Sequence, residues 1–577
     1  MYYPLVRFRG PRSFLAALVV IVSGTALLLR PPAPRLLAPA AQQPTLWRGA
    51  YHVHSTQSDG SGTPEAIATA AAAAGLDFVI LTDHGDATRP PTPPRVVDGV
   101  LLIDAVEIST DDGHLVALDL PQAPYPLAGE GRAVLDDVHR LGGLGILAHP
   151  DSPRPALAWH DASVDADGYE WVNADTTWRS ARAPRLLAHL LTYALNRAGT
   201  LAALARYPAA LFAERDQPTR RPQLALAAID AHARIGWQRG ADPLDGGRTL
   251  AEFPSYRASL GTFGLVVPWL DGRPSGDASR DAVVVLHAIR HGLASTAVFS
   301  MASPAWLSLD VIEPAATATP GPDARGPATL AVRSNAPADA IVRVLRNGTL
   351  LREASASAWS LALEADAPPA IYRAEVWLPA RRGWPALPIA VSAARGHNLP
   401  RAPLDAAAAG LPDGPPAAVD DGSVAVDLRG WHVEHDPASR ATSDTGPPEA
   451  IAQGTLTLAP GARVSQFAAL VADLAAPPPG ASTLELDLSA SAPMRLSIQL
   501  REPRPGEGLR WRHSAYVDQA RRLVRLPVQA FRPILPASGS VPLERVHALL
   551  LVMDTVNARP GETRTVTVRA ARWTTDQ

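Results

Sequence analysis

The sequence predicts a multidomain chain in which a domain of alternating strands and helices is followed by two β-rich domains. Three observations predict this organisation. The chain has 577 residues, which is too long for a single hydrophobic core. Strand and helix patterns alternate in its first half, and residue types that bind metals recur where the strands end. The second half shows short strands of alternating polarity separated by turn residues, which is typical of β-sandwiches.

The first 45 residues are predicted to be an export signal or membrane anchor followed by a proline-rich tether. Arg7, Arg9 and Arg12 precede an uncharged run at residues 14–29. This run is short for a membrane span of about 20 residues and long for a secretory apolar segment of about 7–15 residues. We therefore expect an exported protein, periplasmic or extracellular, which residues 14–29 anchor in the inner membrane if they are not cleaved.

The overall composition excludes several classes of function. The formal net charge is only −3, so the chain as a whole has no electrostatic attraction to nucleic acid. The chain contains no cysteine, which excludes disulfides, thiolate metal ligands and a cysteine nucleophile. Any bound metal would therefore be held by histidine, aspartate and glutamate.

Residues 46–300 predict the domain of alternating strands and helices. Thr63 and Pro64 are start signals for the first helix, and Gly75 is its end signal. Strands are predicted at residues 46–54, 77–82, 100–108, 114–120, 144–148, 168–173 and 224–229, with helices at 132–141 and 180–212. Such an order favours parallel strands, and folds of this kind place their chemistry at the carboxyl ends of the strands.

Residue types that bind metals recur at these strand ends. His52 and His54 are two residues apart, and in a regular strand this spacing puts both side chains on one face. The other candidates are Asp59, His84, Glu107, His114, His149, Asp230 and His232. Burying so many unpaired imidazoles and carboxylates would be costly, so the coincidence favours a metal site over core packing. Imidazole and carboxylate together suit zinc, manganese or iron.

The motifs HVHSTQSDG, TDHGD, DAVEIS, GHLVAL, LAHP and IDAHAR occur in this order and resemble those of the PHP (polymerase and histidinol phosphatase) family. The resemblance implies a distorted (β/α)7 barrel that holds two or three divalent ions of zinc, manganese or iron. It implies nine metal ligands, which are His52, His54, Asp59, His84, Glu107, His114, His149, Asp230 and His232. The domain arrangement is most similar to that of exported metallohydrolases related to carbaryl hydrolase.

The expected reaction is hydrolysis of a small-molecule substrate by a metal-activated water, with phosphoesters as the leading substrate class. Glu107 is expected to bridge two ions, and Asp230 or His232 to deprotonate the water or protonate the leaving group. Two alternatives remain open. One is hydrolysis of carboxylic esters or carbamates by the same centre, and the other is a surface- or carbohydrate-binding protein with a structural metal site.

Three arginines follow the strand-end motifs and are candidates for binding a substrate phosphate or carboxylate. These are Arg154, Arg179 and Arg234, and for each the alternative is a surface or ion-pair role. Glu170 and Asn173 end a predicted strand and are expected to support the metal ligands rather than to bind metal themselves.

The remainder of the chain predicts two β domains. Residues 301–398 are expected to form an immunoglobulin-like β-sandwich, with a hairpin turn at Asn347-Gly348. Residues 399–421 are rich in proline, alanine and glycine and are interpreted as a linker. Residues 422–577 resemble galactose-binding-like β jelly rolls. Trp431, Trp511 or Tyr516 could stack on carbohydrate there, with buried packing of these aromatics as the alternative.

Overall fold

The structure is a computed structural model. It describes residues 11–40, 43–237, 248–269, 272, 274–313, 326–400, 424–426, 428–444, 446–461, 465–475, 477–505 and 508–575. Nearly all of the predicted linker at residues 399–421 lies outside these ranges, as do Arg7 and Arg9. The described part of the chain is rich in β-structure.

The predicted export segment at residues 14–29 lies within helix α1, Pro11–Leu29, which is followed by the short strand β1, Arg35–Leu36. Among the described residues, none of the helices combines the length and the apolar character that crossing a membrane requires. Export and membrane attachment therefore stay predictions.

The β/α domain follows, and the helix predicted at residues 180–212 is divided into three helices, Ala183–Tyr193, Arg197–Ala202 and Ala209–Arg215. Its helices are α2 Pro64–Ala74, α3 Gly131–Arg140, α4 Ala174–Arg179, α5 Ala183–Tyr193, α6 Arg197–Ala202, α7 Ala209–Arg215, α8 Tyr256–Leu260 and α9 Ala278–Arg290. Its strands are β2 Thr45–Val53, β3 Phe78–Leu81, β4 Arg95–Val97, β5 Val100–Asp104, β6 Val106–Thr110, β7 Gly113–Leu118, β8 Leu144–Leu147, β9 Gly168–Asn173, β10 Leu224–Ala228, β11 Ile235–Trp237, β12 Arg248–Ala251, β13 Gly264–Trp269, β14 Ser295–Ala297 and β15 Ala302–Ser303.

Helix α2 shows how closely the local signals are followed. Thr63 is its N-cap and accepts a hydrogen bond from the backbone N–H of Ala66, and Pro64 occupies the first helical position. Gly75 ends the helix with φ of 74°, a left-handed conformation that glycine adopts without strain. Ile67 and Ala71 are buried on its inner face. The predicted start and end of this helix are confirmed.

The strands of this domain form two sheets, and both edges of the five-stranded sheet meet the larger one. In one sheet β2, β3 and β5 are parallel, with β13 antiparallel beside β2. In the other, β8, β9 and β10 are parallel. Isolated parallel bridges join Val53 to Ala231 and His84 to Glu107, so each sheet continues into the other. This arrangement brings the carboxyl ends of both sets of parallel strands together.

Strands β6 and β7 depart from the predicted parallel order. They pair antiparallel with one another, and β7 pairs antiparallel with β8. The chain passes from β6 to β7 through a turn of two residues, which is long enough for a hairpin but far too short for a parallel crossover. The single strand predicted at residues 100–108 is divided at Ala105, so Glu107 lies near the start of β6 rather than at a strand end.

The second region is a β-sandwich whose sheet continues into the β/α domain. Its strands are β16 Leu307–Ile312, β17 Ala328–Ser334, β18 Ile341–Arg346, β19 Thr349–Ala354, β20 Ala358–Leu363, β21 Ala370–Trp377, β22 Ala390–Val391 and β23 Arg395–His397. The predicted hairpin turn at Asn347-Gly348 joins β18 and β19, and both turn residues have positive φ. Strand β22 pairs with β14, and the buried Arg373 donates to the buried Asp216.

The third region is a sandwich of two six-stranded antiparallel sheets. Its strands are β24 Val424–Ala425, β25 Leu428–His435, β26 Arg440–Asp444, β27 Ala452–Thr457, β28 Phe467–Leu474, β29 Ala481–Ala490, β30 Met494–Glu502, β31 Leu509–Val517, β32 Arg522–Pro527, β33 Arg532–Ile534, β34 Ala548–Asp554 and β35 Thr563–Thr575. One sheet has the order β26-β27-β35-β29-β32 with β24 beside β35, and the other has the order β25-β28-β34-β30-β31-β33. Alternate residues of both sheets face a common apolar core.

This third region docks on the β/α domain through ion pairs, one of which is buried. The Arg495 Nε atom donates to Asp137 Oδ2 at 2.7 Å, and both side chains are buried. Arg532 Nη1 lies 2.6 Å from Asp112 Oδ1 and 2.7 Å from Asp112 Oδ2. The Asn557 side chain donates to two backbone carbonyls of the loop before α3. The two regions are therefore joined by specific polar contacts and not only by the chain.

Two of the three aromatic residues that were candidates for stacking on carbohydrate instead pack inside the protein, one in the core and one in the domain interface. Trp511 is 2% exposed, lies in the core and donates to the Gly539 carbonyl at 2.9 Å. Tyr516 faces Tyr125 of the β/α domain, with the Arg140 guanidinium 3.6 Å from its ring centre. Their role is packing, which corrects the stacking interpretation for both. Trp431 is half-buried and packs at the edge of the core.

We predict that Arg495→Met lowers the free energy of unfolding of the full chain by about 3 kcal/mol, because it leaves the buried Asp137 carboxylate short of a partner. Urea unfolding followed by tryptophan fluorescence measures the change. The matched control is Arg525→Met in the same domain, where the exposed Arg525 pairs with Glu485 and the expected change is below about 1 kcal/mol. Equal effects of the two substitutions would contradict the docking role of Arg495.

Candidate metal centre

The structure brings all nine predicted ligand residues together between the two sheets of the β/α domain. Their donor atoms form four overlapping groups, and within each group the atoms lie within 4.8 Å of one another. The groups are His54, Asp59, His84 and His232; His52, His54 and Glu107; His52, His149 and Asp230; and His84, Glu107 and His114. Buried histidine, aspartate and glutamate clusters of this kind are compatible with a metal site.

His52 and His54 converge in a different way from the one that regular strand geometry predicts. His52 has φ of 64°, and the register of β2 against β3 shifts between Tyr51 and Val53. The bulge turns both imidazoles to the same point, where their Nε2 atoms are 3.1 Å apart. The spacing of the two histidines is therefore informative, although the simple rule of alternating faces does not explain it.

Three of the nine candidates have a backbone conformation that residues other than glycine rarely adopt. Besides His52, His149 has φ of 31° and Asp230 has φ of 48°. Such conformations cost about 1–3 kcal/mol each and persist only where the surroundings impose them. Their concentration on three candidate ligands, from three different parts of the chain, is the pattern expected where a fold holds side chains in place for a function.

Glu107 lies at the centre of the cluster. Its Oε2 atom is 3.2 Å from the Nε2 atoms of both His52 and His54. Its Oε1 atom is 2.7 Å from His114 Nδ1 and 2.9 Å from His149 Nε2. Burial raises the pKa of Glu107, but the surrounding imidazoles outweigh it and hold that pKa well below its ordinary value. Because its two oxygens face different donors, this carboxylate has the geometry of a bridging ligand.

Asp59 organises the more accessible side of the cluster. Its Oδ1 atom is 3.2 Å from His232 Nε2, 3.6 Å from His54 Nδ1 and 3.9 Å from His84 Nε2. Burial raises the pKa of Asp59, but the neighbouring imidazoles of His232, His54 and His84 lower it to about 2. The side chain is therefore an anion in the pH range where proteins function.

The buried carboxylates also shift the pKa values of the histidines. Burial lowers the pKa of His54 and of His149, but Asp230 and Glu107 outweigh it for His54, and Glu107 outweighs it for His149. The resulting pKa values are about 10 and about 9. For His84 burial dominates, and its pKa falls to about 4. Carboxylates that stabilise positive charge on imidazoles so strongly would stabilise a divalent cation in the same place.

The donor atoms themselves fit metal ions. His54 Nδ1, His84 Nδ1 and Asp59 Oδ1 are buried, and none of them has a hydrogen-bond partner among the described residues. A buried polar atom without a partner costs about 1–3 kcal/mol, which coordination of a cation would offset. Six imidazoles and three carboxylates form a donor set that suits zinc, manganese or iron.

Glu170 and Asn173 hold the ligands in place, as the sequence suggests. Glu170 Oε1 lies 2.5 Å from His52 Nδ1, and Glu170 Oε2 accepts from the His149 backbone N–H at 2.8 Å. Asn173 donates to Glu170 Oε2 at 2.8 Å and to Asp230 Oδ2 at 3.1 Å. Hydrogen bonds to the outer atoms of metal ligands fix their orientation, and their loss weakens metal binding.

Two further supporting residues were not found from the sequence. Tyr256 donates its hydroxyl to the His54 carbonyl at 2.8 Å, and no motif surrounds it. Asp83 accepts from the backbone N–H and the hydroxyl of Ser55, each at 2.7 Å, and so anchors the loop after His54. Asp83 directly precedes His84 in the motif TDHGD, and this position was the available signal.

The three candidate substrate arginines have different surroundings. Arg234 Nη1 donates to the Asp59 carbonyl at 3.2 Å, and its Nη2 atom is buried without a partner among the described residues. Arg179 forms an ion pair with Asp175, one turn earlier on α4. Arg154 is exposed. The structure therefore brings Arg234 and Arg179 to the site and leaves Arg154 at the surface.

Two cavities open onto the cluster. The first, which we call the His84 cavity, has a volume of about 430 Å³ and is lined by His84 and Ser109. The second, the His232 cavity, has a volume of about 300 Å³ and is lined by His232, Arg179 and Arg234. Both volumes are sufficient for part of a small-molecule ligand.

No family model matches the sequence, and no curated protein matches it. Among solved structures, the chain is similar to a two-domain protein from Bacteroides vulgatus that contains a predicted PHP-like metal-dependent phosphoesterase. That match has 14% identity, 63% coverage of this chain, 99% coverage of the other and a TM-score of 0.27. A family 11 carbohydrate-binding module from Clostridium thermocellum, solved with a mixed-linked tetrasaccharide, matches at 11% identity. It covers 26% of this chain and 96% of its own, with a TM-score of 0.21. Both TM-scores are below 0.5, so neither match shows what chemistry the site of this chain performs.

We predict that Glu170→Gln weakens zinc or manganese binding by about 10- to 100-fold, because an amide cannot replace both acceptor contacts of the carboxylate with His52 and His149. A competition titration against a chelating dye measures the affinity. Glu65→Gln on the exposed face of α2 is the control and should leave the affinity unchanged. Equal affinities of the Glu170→Gln variant and the unsubstituted protein would show that Glu170 does not support the ligands.

Proposed function

We propose that the protein is a metal-dependent hydrolase and that phosphoester hydrolysis is its leading reaction. The observation that carries this proposal is the convergence of nine histidine, aspartate and glutamate side chains in four overlapping groups around Glu107. One ion needs about four such ligands, so a set of nine is appropriate for two or three ions. The cavities beside the cluster give a substrate access to it.

Bound divalent ions supply a water of lowered pKa and neutralise negative charge that develops on the substrate. The residues that would hold them are His52, His54, Asp59, His84, Glu107, His114, His149, Asp230 and His232. Glu107 would be shared between ions because its two oxygens face different histidines. Glu170 and Asn173 would keep the inner ligands oriented.

Asp230 and His232 are the residues best placed to move a proton. His232 Nδ1 lies 3.2 Å from the Asp230 carbonyl and 3.5 Å from Asp230 Oδ1, so its Nε2 atom is turned toward Asp59. The His232 side chain is 23% exposed, whereas those of His52 and His54 are fully buried. A general acid or base has to reach the substrate, and His232 meets this requirement.

Arg234 and Arg179 are the candidates for binding the substrate anion. Both line the His232 cavity beside Asp230 and His232. A guanidinium binds phosphate and carboxylate oxygens through two parallel hydrogen bonds. The Arg179 guanidinium already forms an ion pair with Asp175, so fewer of its N–H groups are available to a substrate. Arg234 is therefore the stronger candidate of the two. Arg154 is exposed and is not among the residues that line either cavity, which makes it the weakest candidate of the three.

The access to the cluster favours an enzyme over a protein with a purely structural metal. Structural metal sites are closed by protein ligands, whereas catalytic sites keep a position open. Here two cavities open onto the cluster, and one of its histidines is partly exposed. Hydrolysis of carboxylic esters or carbamates is the second candidate reaction. The pairing of Arg179 with Asp175 favours it, since a neutral ester requires less positive charge than a phosphate.

We predict metal-dependent release of p-nitrophenol from p-nitrophenyl phosphate or bis(p-nitrophenyl) phosphate by the full-length protein. Activity should appear with manganese or zinc and fall at least about 100-fold with excess EDTA, because the nucleophile depends on the ions. p-Nitrophenyl acetate is assayed in parallel. Turnover of the acetate alone would favour the carboxylic ester alternative, and no metal-dependent turnover of any of the three would contradict the hydrolase proposal.

We predict that His232→Gln lowers kcat by about 10²- to 10⁴-fold, the range typical of a lost general acid or base. Metal content is measured on the same samples by plasma mass spectrometry. His287→Gln on the exposed face of α9 is the matched control and should leave both quantities unchanged. A His232→Gln variant with full metal content and full turnover would remove His232 from the reaction.

A further inference from the structure

The His84 and His232 cavities meet at one group of candidate ligands. Asp59 Oδ1 lies 3.2 Å from His232 Nε2 and 3.9 Å from His84 Nε2, so one carboxylate contacts the wall of each cavity. The ring centres of His84 and His232 are 6.5 Å apart. A reacting atom bound at this group would therefore lie between a histidine of one cavity wall and a histidine of the other.

We infer that the substrate carries an organic group on each side of the reacting atom, with one group in each cavity, and that it is a phosphodiester rather than a phosphomonoester. This inference rests on the proposed hydrolase function. A phosphomonoester has one organic group and would fill one cavity only. A diester has two, which point away from the phosphorus in different directions, and the two cavities have no lining residue in common.

The charges that line the cavities favour a diester. In the His84 cavity, Arg89 is engaged by Asp104, at 2.9 Å from Arg89 Nη2 to Asp104 Oδ2. In the His232 cavity, Arg179 is engaged by Asp175. A phosphomonoester at neutral pH is close to a dianion, whereas a diester carries a single negative charge. Arg234 is the third arginine that lines the two cavities, and its Nη2 atom has no partner among the described residues. One unpaired arginine matches the single negative charge of a diester better than the double charge of a monoester.

The walls of the two cavities suit uncharged substituents of different shape. The His84 cavity is lined mostly by small and aliphatic side chains, including those of Val106, Ala117 and Leu120. The His232 cavity is lined by Trp178 and Phe253, whose rings meet edge to face with centres 5.8 Å apart. Aromatic walls of this kind favour a planar group. The better substrates should therefore have a planar group on one ester oxygen.

The test compares bis(p-nitrophenyl) phosphate with p-nitrophenyl phosphate on the full-length, metal-loaded protein. We expect kcat/KM to be at least about 10-fold higher for the diester, which is the effect of one well-bound apolar group. Ala128→Phe fills the His84 cavity and Ala174→Phe fills the His232 cavity. Each should lower kcat/KM for the diester at least about 10-fold, and Ala128→Phe should change the value for the monoester far less.

Ala73→Phe on the exposed face of α2 is the matched control and should change neither value. A second readout is independent of turnover: calorimetry with diphenyl phosphate and phenyl phosphate should show at least about 10-fold tighter binding of the diester, which Ala128→Phe abolishes. The inference would be overturned if kcat/KM or affinity for the monoester equalled or exceeded the value for the diester, or if Ala128→Phe left the values for the diester unchanged. Either result would still be compatible with the proposed hydrolase function. Loss of metal-dependent turnover on every substrate would instead contradict the proposed function, and the calorimetry would still decide between diester and monoester.

Discussion

The structure of the site depends on one buried charge, the carboxylate of Glu107. It is 1% exposed and is surrounded by the imidazoles of five histidines, which come from both sheets of the β/α domain. A carboxylate in such a place is costly unless positive charge and hydrogen bonds surround it. The left-handed backbone at His52, His149 and Asp230 is best understood as the strain that the fold accepts to bring these partners to one point.

The domains beyond the β/α region support the same centre from outside. Glu107 and His114 lie on the β6–β7 hairpin, and the turn of this hairpin contains Asp112. Both carboxylate oxygens of Asp112 accept hydrogen bonds from Arg532 of the third region. The Asn557 contact holds the loop that contributes Ala128 to the His84 cavity. The third region therefore supports the hairpin and one cavity wall, and its half-buried Tyr516 packs against Tyr125 in the same interface.

Much of the site could be predicted from the sequence because its ligands lie next to strong local signals. An apolar run followed by DH, HP or DAH indicates where a strand ends and which side chain follows it. Parallel strands bring such ends together. What the period of two could not show was the bulge at His52, since that depends on pairing with β3. Nor could it show that β6 and β7 form a hairpin, or that Arg495 and Arg532 face carboxylates of another domain. Such contacts join residues hundreds of positions apart, and an alternating pattern shows only that a residue faces outward, not what covers it.

The most direct test of the central claim, that the nine side chains hold a multinuclear metal centre, is a crystal structure with anomalous scattering data at the manganese and zinc edges. The account predicts two or three anomalous peaks inside the cluster, with the nitrogen and oxygen donors about 2.0–2.2 Å from the ions and Glu107 between two of them. Crystals grown with both metals that show no peak among the nine side chains would contradict it.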